Sequence, residues 1–167
     1  MAPTDSKVID DLKAAFAGES QANRKYLAYA LKADEEKLPY AAKIFRAAAE
    51  AETIHAHSHL RVLDGVHSTA ENLKDAIGGE TYEFTTMYPG MIERAKAAGD
   101  KKAEKDFHLA NEAEKIHAEL FKKVAADPTK PAPKVYVCKV CGHVHEDTIP
   151  DKCPICGSKA QAYFEIH

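Results

Sequence analysis

Two short patterns in this 167-residue chain set metal-binding side chains at regular intervals. Glu52-x-x-His55 and Glu114-x-x-His117 each place a carboxylate and an imidazole three residues apart. Cys138-x-x-Cys141 and Cys153-x-x-Cys156 supply four thiols, and no cysteine lies elsewhere. On a helix, residues three apart share a face, so a Glu and a His at that spacing reach the same metal pair. Four thiolates in two knuckles form a tetrahedral sulfur cage for zinc or iron, and softness alone does not choose between the two.

Each Glu-x-x-His motif has a second glutamate about thirty residues upstream, Glu19 for the first and Glu83 for the second. The four segments that carry these groups read as helices. From Asp5 to about Ala126 the chain is rich in Ala, Lys, Glu and Leu with the apolar period of a helix. Lys37-Leu38-Pro39, Asp64-Gly65 and Ala98-Gly99-Asp100 break it, and the last helix runs to Asp127-Pro128. Four long helices predict a bundle.

Steps of three and four trace the expected core stripes. They run through Phe16, Glu19, Asn23 and Tyr26 in the first helix, Phe45, Ala48, Glu52 and His55 in the second, and Phe107, Ala110, Glu114 and His117 in the fourth. The third is less regular: Leu73, Ile77, Glu80, Phe84 and Met87 form the stripe, with Glu83 beside it. Gly78-Gly79 costs about 1 kcal/mol per glycine relative to alanine and points to close packing or a local distortion next to Glu80.

An unpaired carboxylate in a core costs several kcal/mol or takes up a proton. Five at one level need cations, and none of the stripe positions named above is Lys or Arg. Two divalent ions nearly balance five carboxylates and two neutral imidazoles. Oxidising both ions while adding an oxide bridge leaves that balance unchanged, which suits two-electron chemistry with oxygen species. One Glu from each of two helices and Glu-x-x-His from the other two is the known pattern of ferritin-like di-iron proteins.

The remaining residues form a small appendix. Residues 128–133, Pro-Thr-Lys-Pro-Ala-Pro, read as a stiff extended linker between a helical domain at 1–127 and a cysteine module at 134–167. Val135-Tyr136-Val137 and Ala162-Tyr163-Phe164-Glu165-Ile166 are expected strands. A net charge of −3 with interleaved signs gives no nucleic-acid footprint and no polybasic membrane patch. The segment MAPTDSKVIDDLKAAF lacks the pattern of a secretory signal and no apolar run approaches a membrane span, so a cytoplasmic location is expected. In that reducing compartment the cysteines read as metal ligands.

The chain resembles the rubrerythrin family over nearly its whole length. The segments that carry the resemblance are 16–22 (FAGESQA), 79–89 (GETYEFTTMYP), 113–117 (AEKIH), Cys138-x-x-Cys141-Gly142 and Cys153-Pro154-x-Cys156-Gly157. It implies a mainly α fold, a ferritin-like four-helix bundle followed by a small β-rich rubredoxin-like metal domain. It implies that Glu19, Glu52, His55, Glu80, Glu83, Glu114 and His117 hold two irons, with Glu52 and Glu114 bridging. One iron is expected to shift between Glu83 when oxidised and His55 when reduced. Tyr26 and Tyr88 match family tyrosines that hydrogen-bond to ligand carboxylates, although each taken alone also reads as aromatic packing.

The implied activity is reduction of hydrogen peroxide to water in oxidative-stress defence. Electrons would pass through one iron held by Cys138, Cys141, Cys153 and Cys156, supplied by an NAD(P)H-linked reductase or a rubredoxin. The alternatives are an iron-handling ferroxidase and an interaction module whose cysteines hold zinc. Ser158 stands where some relatives carry a histidine near the metal. His57, His59, His143 and His145 are left without a ligand role.

Chain length adds an expectation about assembly. A ferritin-like bundle needs a crossover along its length, and a helix of about 24 residues is about 36 Å long. The connection from about Asp64 to Thr69 spans ~20 Å at most. A domain-swapped homodimer is therefore expected, helices one and two of one chain completing the site with helices three and four of the other.

Overall fold

A computed structural model describes residues 5–167, and Met1 to Thr4, the start of the N-terminal segment read above, lie outside the described residues. The chain divides into two compact units, one ending at His67 and one beginning at Ser68.

The first unit is a helical hairpin. Helix α1 (Ser6–Glu35) starts at Asp5, whose carboxylate accepts the backbone N–H groups of Lys7 and Val8 at 2.8 and 3.2 Å, satisfying donors that a helix start leaves without partners. Lys37 turns the chain through a left-handed conformation (φ 59°), and Pro39 opens α2 (Pro39–Val62), where its missing N–H costs nothing. Asp64 (φ 55°) ends the hairpin in the same way as Lys37.

The helices of the hairpin close on small residues. Ala30, Ala33, Ala42, Ala49 and Ala56 are buried together with Asn23. The Asn23 amide donates to the Ala49 carbonyl (2.7 Å) and to the Thr53 hydroxyl (2.8 Å). The larger stripe residues Phe16, Tyr26 and Phe45 are only half-buried. Two helices bury a narrow seam, whereas the apolar stripe read from the sequence is wider.

In the second unit, α3 (Thr69–Tyr82) begins with a capping box: Ser68 accepts the Glu71 N–H, and the Glu71 carboxylate accepts the Ser68 N–H at 3.1 Å. The third helical rod is not uniform. Residues Glu83–Met87 form a π-helical turn before α4 (Tyr88–Ala97), and the Tyr88 N–H reaches back five residues to the Glu83 carbonyl. Pro89 has no N–H to continue the α-helical ladder, and the wider turn accommodates that loss. Thr85 donates its hydroxyl to the Thr81 carbonyl (2.6 Å) where the ladder changes step. A Cβ on Gly78 or Gly79 would meet nothing within 4 Å, so within this unit the glycines mark the approach to a distortion and not a close contact.

Asp100 caps α5 (Lys101–Ala126), which packs against α3 and α4 through Asn111, Ala113 and Ala118. Beyond the proline-rich segment lies a three-stranded antiparallel sheet of order β2-β1-β3, made of β1 (Val135–Cys138), β2 (Val144–Glu146) and β3 (Tyr163–Ile166). The sequence reading missed β2, three residues pinned by the hairpin closed at the first cysteine knuckle. It also extended β3 by Ala162, which ends a 3-10 turn. The core of this part is Tyr136, Cys138, Cys153 and Tyr163. Gly142 and Gly157 follow the second cysteine of each knuckle at φ 76° and 73°, a conformation that side chains with a Cβ resist.

Replacing Ser68 by Ala removes one side of the capping box. The expected cost is about 1 kcal/mol, seen as faster amide exchange over residues 69–72 with protection of α5 unchanged.

Candidate metal centres

In the first unit, Glu19 from α1 and Glu52 and His55 from α2 bring ligand atoms within 4.8 Å of one another. The His55 Nδ1 is 2.9 Å from Glu52 Oε2 and 3.9 Å from Glu19 Oε1. In the second, Glu80 from α3 and Glu114 and His117 from α5 form a corresponding group. The His117 Nδ1 is 2.6 Å from Glu114 Oε2 and 3.7 Å from Glu80 Oε2. Metal–nitrogen and metal–oxygen bonds near 2.1 Å put adjacent donors about 3 Å apart, so both groups have the chemistry and spacing of ligand sets.

The electrostatics point the same way. Burial, followed by the Glu114 carboxylate, raises the pKa of Glu80 above the usual carboxylate value, with His117 opposing it. Burial and the charge of Glu80 raise Glu83 as well. Both carboxyls resist ionisation because burial and a neighbouring carboxylate disfavour the charged form more than His117 favours it, a penalty that a bound cation would offset. Glu83 lies at the start of the π turn and stands outside the Glu80–Glu114–His117 cluster, although it is near enough to sense both Glu80 and His117.

The two tyrosines differ. Burial and the charges of Glu114 and Glu83 raise the Tyr88 pKa, so its hydroxyl keeps its proton in the field of the carboxylates. Tyr26 packs among aromatic rings, 6.2 Å from Tyr29 and 6.3 Å from Phe45 between centroids. His57 is exposed and His59 half-buried, and neither joins a ligand cluster among the described residues.

The other end of the His117 ring faces the cysteine module. Its Nε2 lies 3.0 Å from the carbonyl oxygen of Gly142, the residue after Cys141. A ring whose Nδ1 binds a metal carries its proton on Nε2, so it donates to that carbonyl and is held in orientation by it. Sequence spacing gave no sign of this contact, which joins residues 25 positions apart. The wall beside it is a cavity of about 360 Å³ lined by residues that include Glu80, His117, Phe121, Val135 and Val144.

All four cysteines are unbridged, and their sulfurs lie within 4.8 Å of one another. The Cys138–Cys156 and Cys141–Cys153 separations are 3.7 and 3.5 Å. A tetrahedron with metal–sulfur bonds near 2.3 Å has edges of about 3.8 Å, so the cage matches one metal ion. Burial opposes ionisation of Cys153, yet backbone N–H groups and the Tyr163 hydroxyl outweigh it and bring its pKa to about 6. Cys138 and Cys141 are pushed up, chiefly by burial. Two neighbours of the cage carried no weight in the sequence reading. His143 is buried, at 3% exposure, with its Nδ1 2.7 Å from the Tyr163 hydroxyl. The Ser158 Oγ lies 3.2 Å from Cys156 Sγ.

These features have counterparts in known proteins. The family model described as Rubrerythrin matches residues 10–125, and that described as Rubrerythrin, rubredoxin-like domain matches 136–165. Rubrerythrin-2 of Clostridium acetobutylicum is 37% identical, with 98% of each chain covered. Nigerythrin of Nitratidesulfovibrio vulgaris is 34% identical over 89% of this chain and 81% of its own. A solved structure of nigerythrin in a fully reduced, all-ferrous state matches with a TM-score of 0.59 at 31% identity, covering 99% of this chain and 92% of that one.

The helical rods with carboxylate–histidine groups and the four-cysteine cage define an iron oxidoreductase of ferritin-like and rubredoxin-like parts. The chain belongs to the rubrerythrin family.

A carboxyl whose pKa is raised on folding holds its proton more tightly in the folded state, so it penalises folding above its folded pKa and that penalty fades as pH falls toward 4.5. Glu80→Gln is therefore expected to raise the melting temperature of the metal-free protein at pH 7 and to raise it less at pH 5. Thermal unfolding at the two pH values checks this, and a variant less stable at pH 7 would contradict it.

Proposed function

We propose that this protein reduces hydrogen peroxide to water at a di-iron centre and receives the electrons through an iron held by its four cysteines. The observation that carries the proposal is the His117 ring, with one nitrogen among the carboxylates and the other on the knuckle of the sulfur cage. It provides a short route through one imidazole, one hydrogen bond and the backbone between Gly142 and Cys141.

The proposed ligands are Glu19, Glu52, His55, Glu80, Glu83, Glu114 and His117 for the iron pair, and Cys138, Cys141, Cys153 and Cys156 for the single iron. When bound, the pair supplies two electrons to the O–O bond and the single iron carries electrons one at a time. The chain's own groups do the rest. Glu52 and Glu114 present carboxylates beside each imidazole. His117 stays fixed because Gly142 accepts its Nε2–H. His55 has a side chain that is 56% exposed within its own unit, consistent with the ligand exchange between His55 and Glu83 that the family resemblance implies. Tyr88 keeps its proton in the field of Glu114 and Glu83, which supports the reading, implied by the family resemblance, that it donates a hydrogen bond to a ligand carboxylate and holds its orientation.

Assembly follows from chain length. Each unit carries one Glu-x-x-His group clustered with one further Glu, and the second also holds Glu83, so each unit has only part of the proposed di-iron ligand set. The connection between α2 and α3 is too short to run the length of a bundle. A swapped homodimer that completes two centres, each from α1 and α2 of one chain and α3 to α5 of the other, satisfies both facts. No helix among the described residues is long and apolar enough to cross a membrane. We place the protein in the cytoplasm, where an NAD(P)H-linked reductase or a rubredoxin supplies the electrons.

Stopped-flow mixing of the reduced, iron-loaded protein with peroxide and with dioxygen tests the reading. Peroxide is expected to oxidise the centre in stoichiometric amount and faster than dioxygen does. A protein that reacts faster with dioxygen, or whose cysteines hold zinc with no peroxide turnover, would favour the iron-handling or interaction-module alternatives. Tyr88→Phe is expected to slow the peroxide step about tenfold while leaving the visible spectrum of the sulfur cage unchanged.

A further inference from the structure

Strand β1 carries apolar side chains on both of its faces. Tyr136 and Cys138 belong to the core of the cysteine module, so the alternation of a strand turns Val135 and Val137 the other way. Val144 on β2 and Phe164 on β3 both pair with Val137, which extends this second apolar face across the sheet. An antiparallel sheet commonly gives such a face to water and makes it polar. Here part of it stands opposite α5, where Leu120, Phe121 and Val124 form the wall that faces Val135 and Val144.

The two apolar walls do not close on each other. They leave a cavity of about 360 Å³, whereas packed interiors have few voids larger than a water molecule. Side chains that line such a space forfeit contact energy. Polar groups in the lining are few. Glu80 and His117, both proposed iron ligands, contribute to it, and Glu146 is ion-paired with Lys123. All of the lining residues belong to the second unit, so one chain builds the cavity. Hydrogen peroxide is barely larger than water and bonds to polar groups, so it draws nothing from walls of this kind. The volume lies instead in the range of small-molecule sites, roughly 300–1,000 Å³.

We propose that the protein also reduces alkyl hydroperoxides, whose hydrocarbon group occupies this cavity while the peroxide group reaches the part lined by Glu80 and His117. The proposal rests on the peroxide-reducing di-iron centre inferred above. The step takes two electrons from that centre, one per iron, and two protons from solvent. The O–O bond breaks, the outer oxygen leaves as water, and the oxygen on carbon stays as an alcohol, each fragment taking one proton. Burial of the hydrocarbon against Phe121, Val124 and Val144 sets the affinity, roughly fourfold for each methylene removed from water.

The test compares hydrogen peroxide, tert-butyl hydroperoxide and cumene hydroperoxide as oxidants of the full-length, reduced, iron-loaded protein in stopped flow. The half-saturating concentration is expected to fall in that order, by about tenfold or more from first to last. Binding is read separately, by calorimetric titration of the zinc-loaded protein with cumyl alcohol, the product that cumene hydroperoxide yields. Val144→Phe, which narrows the cavity from the sheet side, is expected to weaken binding of the alcohol. It is also expected to lower the ratio of the cumene hydroperoxide rate to the hydrogen peroxide rate about tenfold. A half-saturating concentration for cumene hydroperoxide no lower than that for hydrogen peroxide, a parent protein that binds no alcohol, or an unchanged ratio in Val144→Phe would each overturn the proposal and leave hydrogen peroxide reduction standing. A protein inert toward hydrogen peroxide as well would overturn the reading beneath it.

Discussion

Carboxylates gathered in a partly desolvated space, with no Lys or Arg among them, must find positive charge elsewhere. Glu80 and Glu83 show the strain of that arrangement, since both hold their protons more tightly than an ordinary glutamate. Bound metal ions would relieve it and at the same time provide redox chemistry, so the requirement of stability and that of the proposed function would coincide in the same residues. The helices contribute regular spacing and the histidines contribute neutral ligands. The remainder of the fold serves to hold these groups at fixed separations.

The second unit adds a connection that the first lacks. Its ligand group and its sulfur cage share one hydrogen bond, from the His117 ring to the Gly142 carbonyl. Gly142 adopts φ 76° after the knuckle, a conformation that a residue with a Cβ resists. An ion pair between Lys123 of α5 and Glu146 of β2 ties the same two elements together beside the cavity. Each described within its own unit, the His117 side chain is mostly covered and the His55 side chain is exposed.

The ligand types were legible in the sequence because their chemistry is expressed in spacing. Glu52-x-x-His55, Glu114-x-x-His117 and the two cysteine knuckles need only a helix or a tight turn to become clusters, and the structure gathers them so. Helix ends were equally legible where Asp5, Pro39, Asp64 and Asp100 mark them. The π turn was not, because Gly78-Gly79 and Pro89 announce a disturbance without stating its register. Strand β2 is too short to show an alternating pattern, and its pairing is imposed by the knuckle. The contact between His143 and Tyr163 joins residues 20 positions apart, which no local spacing encodes. The apolar stripes were read as closed cores, whereas the helices bury mainly alanines and leave the larger residues half covered or exposed.

Metal content decides whether inward-facing acids are ligands. Iron analysis of protein produced with ample iron, compared with a Glu114→Ala variant, tests it directly. The account predicts three irons per chain in the parent, two from the seven carboxylate and imidazole ligands proposed above and one from the cage of four cysteines, with the variant keeping only the cage iron. A parent protein whose carboxylate groups bind no metal, or a variant that retains all of its iron, would contradict it.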